Sequence, residues 1–193
     1  GVNLMAAIHL QLVIPFHQPL STSERELGNA CDACYVPLLD QLEAHSNVRV
    51  SLHFSGHILD YLSRRRPELL LRIKGLVRAG QAEVLGGLFY GGVPALLPEL
   101  DSRGQVEMMA EYWESFVGVP PRGMWLPELA WCHELPRLLD ETGIEYAFVS
   151  DSQVTSRAAA LPALGVIERG GKRVGAFVLD AALSGELPST PVD

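Results

Sequence analysis

The sequence predicts an α/β fold with a parallel, barrel-like sheet. Short apolar runs alternate with segments of helical period along the 193 residues, which is typical of successive βα units. The polar residues with the most chemistry follow the ends of successive runs, where the sites of parallel α/β folds lie. No internal repeat or interdomain linker interrupts this order, so we expect one domain over residues 1–193.

The first half of the chain holds the clearest strand and helix signals. Runs rich in Val, Ile and Leu predict strands, and apolar residues recurring every three or four positions predict helices. Pro67 suits a first helical turn, and Ala79-Gly80 suits a helix stop. The predicted order is strand 6–14, helix 35–45, strand 48–54, helices 56–65 and 67–79, and strand 82–88.

The second half continues the same alternation. A long amphipathic segment predicts a helix with Asp101 or Ser102 as its N-cap. A turn signal and short apolar runs then mark further strands. The predicted order is helix 101–116, strand 122–126, helix 134–142, and strands 144–150 and 173–179.

Composition excludes several classes of function. The net charge of −8 argues against a nucleic-acid surface, because such surfaces are basic. No apolar run is long enough to span a membrane, and the first residues do not resemble a signal peptide. Three cysteines cannot all pair, which favours a reducing compartment, and we therefore expect a cytoplasmic protein. Cys31 and Cys34 have C-x-x-C spacing, but no second pair accompanies them to complete a metal site.

The segment from Trp125 to Trp131 is the most informative stretch. It places Glu128 between two tryptophans at the end of a predicted strand. Indole faces stack on sugar rings, and an acid among them is expected to be poorly solvated, which raises a carboxyl pKa. This pattern indicates a candidate carbohydrate site, although a solvated loop glutamate beside core tryptophans is the alternative.

Other strand ends add polar residues to the same expected edge. They carry His17 and Gln18, His53, Tyr90, and Asp151. Five successive strands that deliver such groups at one end are typical of the mouth of a barrel.

Four segments resemble glycoside hydrolase family 57, the α-amylase and 4-α-glucanotransferase family. They are His17-Gln18-Pro19, Ser51 to Gly56, Gly80 to Tyr90 and Trp125 to Trp131, in the family's order. The resemblance covers about residues 6–180 and implies the N-terminal part of an irregular (β/α)7 barrel, incomplete in this chain.

The resemblance also implies an activity and roles for residues. It implies action on α-glucans or oligosaccharides with retention of configuration, by hydrolysis or glycosyl transfer, without a cofactor or metal. Glu128 is then the nucleophile, and His17, His53 and Trp125 line the donor sugar site. Gln18 would donate to sugar hydroxyls, and Tyr90 and Trp131 are further candidates for substrate contact.

The chain departs from the family at two strand ends and downstream. Gly91 stands where the family has an acid, and of the usual two aspartates after the fifth strand only Asp151 remains. The family's acid/base aspartate lies beyond the segment matching residues 173–179, so we expect this chain to hold only the nucleophile half of the site. Asp151 is the best substitute within the chain, ahead of Glu134 and Asp180.

Two other functions stay open. A catalytically impaired, sugar-binding relative would retain the aromatic cleft without the acid. A metal-dependent polysaccharide deacetylase is the second, because the H-x-x-x-H spacing of His53 and His57 would place both rings on one face of a helix.

Overall fold

The computed structural model describes residues 10–154 and 164–186. Within those ranges six parallel strands and one antiparallel strand alternate with helices. The predicted α/β class with a parallel sheet is therefore confirmed. The predicted first strand, 6–14, lies partly outside the described residues.

The strands form two hydrogen-bonded groups. The first has the order β1-β2-β3 and the second the order β4-β5-β7-β6. A parallel bridge between Gly86 and Met124 joins β3 to β4. The strands are β1 (Leu12–Phe16), β2 (Val50–Phe54), β3 (Ala82–Leu85), β4 (Gly123–Met124), β5 (Tyr146–Ser150), β6 (Leu164–Arg169) and β7 (Lys172–Leu179).

Helices pack against both groups of strands. The first two helices are connected by a π-helical turn, Cys31–Tyr35, without a break in the helical backbone. The helices are α1 (Glu24–Ala30), α2 (Val36–Ala44), α3 (Gly56–Arg65), α4 (Pro67–Arg78), α5 (Glu99–Val117), α6 (Leu135–Glu141) and α7 (Ala181–Glu186). None of the helices in the described ranges is long and apolar enough to cross a bilayer.

Strand register aligns the carboxyl ends of the strands. Pro15 of β1 lies opposite His53 of β2, which lies opposite Leu85 of β3. On the far side of the bridge, Met124 of β4 lies opposite Ala147 of β5. The segments after β1, β3, β4 and β5 therefore leave the sheet at one edge.

Two apolar clusters stabilise the two groups of strands. The larger packs β1–β3 against α1–α5 and is centred on fully buried residues such as Phe54 and Trp113. The smaller packs β4, β5 and β7 against α6 and includes Met124, Leu139 and Ala147. Leu126 is fully buried in this second cluster. It therefore gives a fixed starting point to the turn that contains Glu128, Pro127–Leu129.

Several predicted boundaries were wrong. Helix α5 begins at Glu99, not after an N-cap at Asp101 or Ser102, because Ser102 N–H already donates to the Pro98 carbonyl at 3.0 Å. Helix α1 was not predicted, although Ser23 and Glu26 form a capping box before it. Strand β6 was also missed; Gly170 and Gly171, both at positive φ, close its antiparallel hairpin with β7.

The amino ends of β3, β4 and β5 are joined by a side-chain contact over a glycine. The Tyr146 hydroxyl donates to Glu83 at 2.5 Å, and the tyrosine ring passes directly over Gly123 of the intervening strand. A Cβ atom on Gly123 would lie 2.2 Å from Tyr146 Cζ. This close approach requires glycine and fixes the spacing of the three strands.

Substitution of this glycine should destabilise the fold. We expect Gly123→Ala to lower the free energy of unfolding by about 1–3 kcal/mol, because the methyl group displaces a ring that is tied to Glu83. Gly104→Ala is the matched control: it lies in α5 with nothing within 4 Å of an added Cβ, so it should stabilise by about 0.5–1 kcal/mol. Urea unfolding measures both, and equal effects would contradict the packing described.

Candidate active site

The Glu128 turn, Pro127–Leu129, lies directly after β4. Glu128 has φ 55° and ψ 15°, and Leu129 has φ 50°. They are the two non-glycine residues at positive φ in the described ranges. Each such residue costs about 1–3 kcal/mol and persists only where surrounding structure enforces it, a situation found most often at functional sites. The strained backbone therefore lies at Glu128, the acid between the two tryptophans that the sequence indicates as a candidate site.

Hydrogen bonds hold this conformation in place. Leu129 N–H donates to the Leu126 carbonyl at 3.0 Å, and Ala130 N–H donates to the Pro127 carbonyl at 3.0 Å. The Leu129 carbonyl accepts from Gln153 Nε2 at 2.8 Å. The Glu128 side chain itself is exposed. The prediction that tryptophans desolvate it was wrong, because the left-handed turn directs the carboxylate to solvent.

His53 is a deeply buried polar group at the carboxyl end of β2. It is 5% exposed on β2, and its Nδ1 has no hydrogen-bond partner among the described residues. Burial lowers the pKa of His53 from 6.5 to about 4, against the opposing effect of the Leu85 and Gly86 backbone. The ring is therefore neutral near pH 7 and retains an unused nitrogen.

Gly87 brings His53 next to the segment after β4. A Cβ atom at Gly87 would lie 2.5 Å from His53 Cε1 and 3.4 Å from the Trp125 carbonyl oxygen. Glycine is required because the imidazole packs onto its backbone. Trp125 is half-buried, and its ring centroid lies 6.2 Å from that of Phe148 on β5. His53, Trp125 and the Glu128 turn are thus neighbours at the carboxyl edge of the sheet.

His17 and His57 form a histidine pair at this edge, in addition to His53. Their ring centroids are 6.4 Å apart and the rings are nearly perpendicular. His17 is exposed, and Gln18 after it is half-buried. Burial, and then the nearby His17, lower the pKa of His57, against the opposing effect of the Gln18 backbone.

The structure does not place His53 and His57 on one helix. His53 belongs to β2 and His57 to the first turn of α3, so the spacing argument for a metal site was wrong. Within residues 10–154 and 164–186, no three His, Cys, Asp or Glu side chains are grouped to hold a metal ion.

The remaining predicted residues lie around the edge with different surroundings. Tyr90 is 55% exposed, and its N–H donates to Gln105 Oε1 at 3.1 Å. Trp131 is half-buried against the second apolar cluster. No described contact brings either side chain to Glu128. Gly91, the position at which the sequence departs from the family's acid, has φ 70° and closes a turn through a 2.8 Å bond from its N–H to the Leu88 carbonyl, a conformation that favours glycine.

Asp151 is engaged in local structure. Its Oδ1 accepts from Ser150 Oγ at 3.2 Å, and its Oδ2 accepts from Ala181 N–H at 3.3 Å, which ties β5 to α7. This bonding adds no support for a role as proton donor.

Sequence reasoning missed two residues that shape the site. Gly87 is one of several glycines after β3, and the sequence alone does not distinguish it from the others. The requirement for glycine at this position is explained by the packing of His53. Gln153 had a readable signal, since Ser150-x-x-Gln153 forms a capping box, but its bond to Leu129 depends on the tertiary fold.

Comparison with known proteins agrees with this architecture. A profile described as glycosyl hydrolase family 57 matches residues 9–187. An α-amylase of Pyrococcus furiosus is 35% identical over 195 aligned residues, covering 100% of this chain and 29% of that protein. A 4-α-glucanotransferase of Thermococcus kodakarensis is 32% identical, with the same coverages.

Solved structures show the same similarity. The 4-α-glucanotransferase of Thermococcus litoralis superposes with a TM-score of 0.88 at 32% identity, covering 94% of this chain and 29% of that one. The chain therefore spans less than a third of the length of each of these three relatives. On the match over nearly its whole length, the chain belongs to glycosyl hydrolase family 57.

Proposed function

We propose that this chain forms the N-terminal part of a single catalytic barrel domain and supplies the nucleophile half of a retaining α-glucan-active enzyme. The reaction is hydrolysis or glycosyl transfer on an α-glucan or oligosaccharide. The observation that carries the proposal is the strained backbone at Glu128 and Leu129, next to His53 and Trp125 at the carboxyl edge of the sheet. The three cysteines are free, which supports a cytoplasmic location.

In the first chemical step, a Glu128 oxygen attacks the anomeric carbon of the sugar. A glycosyl ester forms as the bond to the leaving oxygen breaks, and that oxygen takes the electron pair. A second carboxyl group, about 5–5.5 Å from the nucleophile in retaining enzymes, protonates the leaving oxygen. We propose that this acid comes from outside the described residues. Exposure keeps Glu128 solvated until the substrate displaces water, which suits a group that must react as the carboxylate.

The neighbouring side chains suit the binding of a sugar. The unpartnered Nδ1 of neutral His53 is buried, so a sugar hydroxyl reaches it only when the substrate displaces the atoms that cover it; the nitrogen then accepts or donates according to its tautomer. The half-buried Trp125 ring offers a face for a pyranose. We propose that His17, Gln18, Tyr90 and Trp131 provide further contacts with the same ligand.

Trapping with a fluorinated sugar tests the nucleophile. An α-glucosyl fluoride loses fluoride without help from an acid, and a second fluorine at C5 slows breakdown of the ester. We expect intact-protein mass to rise by one fluoroglucosyl unit in the wild type and to remain unchanged in Glu128→Gln, which cannot attack. Glu107→Gln, which changes an exposed acid on α5, is the matched control and should still be labelled.

Failure to label folded wild-type protein would contradict the nucleophile assignment. Sugar binding without turnover would then be the better proposal, provided that calorimetry with maltooligosaccharides still detects binding.

Burial of neutral His53 should make stability depend on pH. The unfolded chain binds this proton near pH 6.5, whereas the folded protein binds it only near pH 4. The free energy of unfolding is therefore highest above pH 6.5. It falls by on the order of 3 kcal/mol as the pH drops towards 4, because the unfolded chain binds the proton and the folded protein does not. We expect His53→Gln to flatten the dependence of unfolding free energy on pH over this window. The exposed His133→Gln should keep the wild-type slope, and an unchanged slope in His53→Gln would contradict the burial argument.

A further inference from the structure

The Glu128 turn is held from outside by a side chain of another element. Gln153 Nε2 donates to the Leu129 carbonyl oxygen at 2.8 Å, across 24 positions of sequence. That carbonyl belongs to the second of the two strained residues. The bond therefore acts on the peptide plane that follows Leu129, and it opposes relaxation of the turn to an ordinary backbone conformation.

Gln153 is itself fixed on the side of β5. Its Oε1 accepts from Ser150 N–H at 3.2 Å, and Ser150 Oγ caps the short helical turn Asp151–Gln153. Ser150 is the last residue of β5, whose neighbours Val149 and Phe148 are buried. One planar amide thus joins the end of β5 to the Glu128 turn, accepting on one side and donating on the other.

The direction of the Glu128 side chain depends on this backbone conformation. In the left-handed conformation the Cα–Cβ bond points to a different side of the chain than in a strand or a right-handed helix. If the turn relaxed, the carboxylate would leave its position relative to His53 and Trp125. A displacement of about 1 Å at a reacting atom can lower a rate about a hundredfold.

We propose that Gln153 is a positioning residue for the nucleophile: its amide holds the strained turn so that the Glu128 carboxylate is presented to the anomeric carbon. This inference rests on the proposed function. The side-chain hydrogen bonds described for Gln153 go to Ser150 and Leu129, so it acts on Glu128 through the Leu129 carbonyl.

The test separates the two hydrogen bonds of the amide. In Gln153→Glu the carboxylate still accepts from Ser150 N–H but has no proton to give to the Leu129 carbonyl. Gln153→Ala removes both bonds. The matched control is Gln41→Glu, the same chemical change at an exposed position on α2. The rate of labelling by 5-fluoro-α-glucosyl fluoride is followed by intact mass over a range of reagent concentrations.

We expect both Gln153 variants to label about ten- to a hundredfold more slowly at saturation, with the half-saturating concentration unchanged, because orientation and not binding is lost. Gln41→Glu should label at the wild-type rate. Near-UV circular dichroism confirms that each variant is folded. Wild-type labelling rates in both Gln153 variants would overturn the inference and leave the proposed function intact, whereas absence of label in the wild type would overturn the proposed function and the inference with it.

Discussion

The bridge between β3 and β4 is the interaction on which the site depends. Gly86 N–H donates to the Gly123 carbonyl at 2.7 Å, and Trp125 N–H donates to the Gly86 carbonyl at 3.0 Å. These two bonds join one group of strands, which carries the histidines, to the other, which carries Glu128. Glycines at positions 86, 87 and 123 allow this approach, because side chains there would meet Ile144, His53 and Tyr146.

Anchors on both sides of the turn explain why strain can be stored at Glu128. On one side the turn is anchored by the buried Leu126, and on the other by the bond between Gln153 and Leu129. A free loop would relax from two successive left-handed residues, since each costs about 1–3 kcal/mol. Here the cost is offset by the apolar cluster beneath the turn and by hydrogen bonds at its ends. The result is an exposed carboxylate on a rigid support, which suits the nucleophile role that we propose for Glu128.

The sequence was sufficient to predict the fold class and the carboxyl edge at which the candidate residues lie. Alternation of apolar runs with helical periods placed most elements, and α3 and β2 ended where predicted. Features that depend on long-range contacts were not accessible. The predicted strand at residues 122–126 was longer than the observed β4, since only Gly123 and Met124 pair as a strand.

The environment of the candidate residues could not be predicted from the sequence. Glu128 and the tryptophans suggested a desolvated acid, but the conformation of the turn cannot be read from Pro-Glu-Leu, and the side chain is exposed. The neutral state of His53 follows from its packing on Gly87, a contact between strands that no local pattern reveals. Gln153 illustrates the same limit, because its partner lies on another strand end.

The most direct test of the central claim is a crystal structure of the protein labelled with 5-fluoro-α-glucosyl fluoride. Our account predicts continuous density from a Glu128 carboxylate oxygen to the anomeric carbon, with the sugar beside His53 and Trp125. Glu128 and Leu129 should retain φ values near 55° and 50°. A sugar bonded to a different carboxylate, or a relaxed turn beneath a sugar bonded to Glu128, would contradict it.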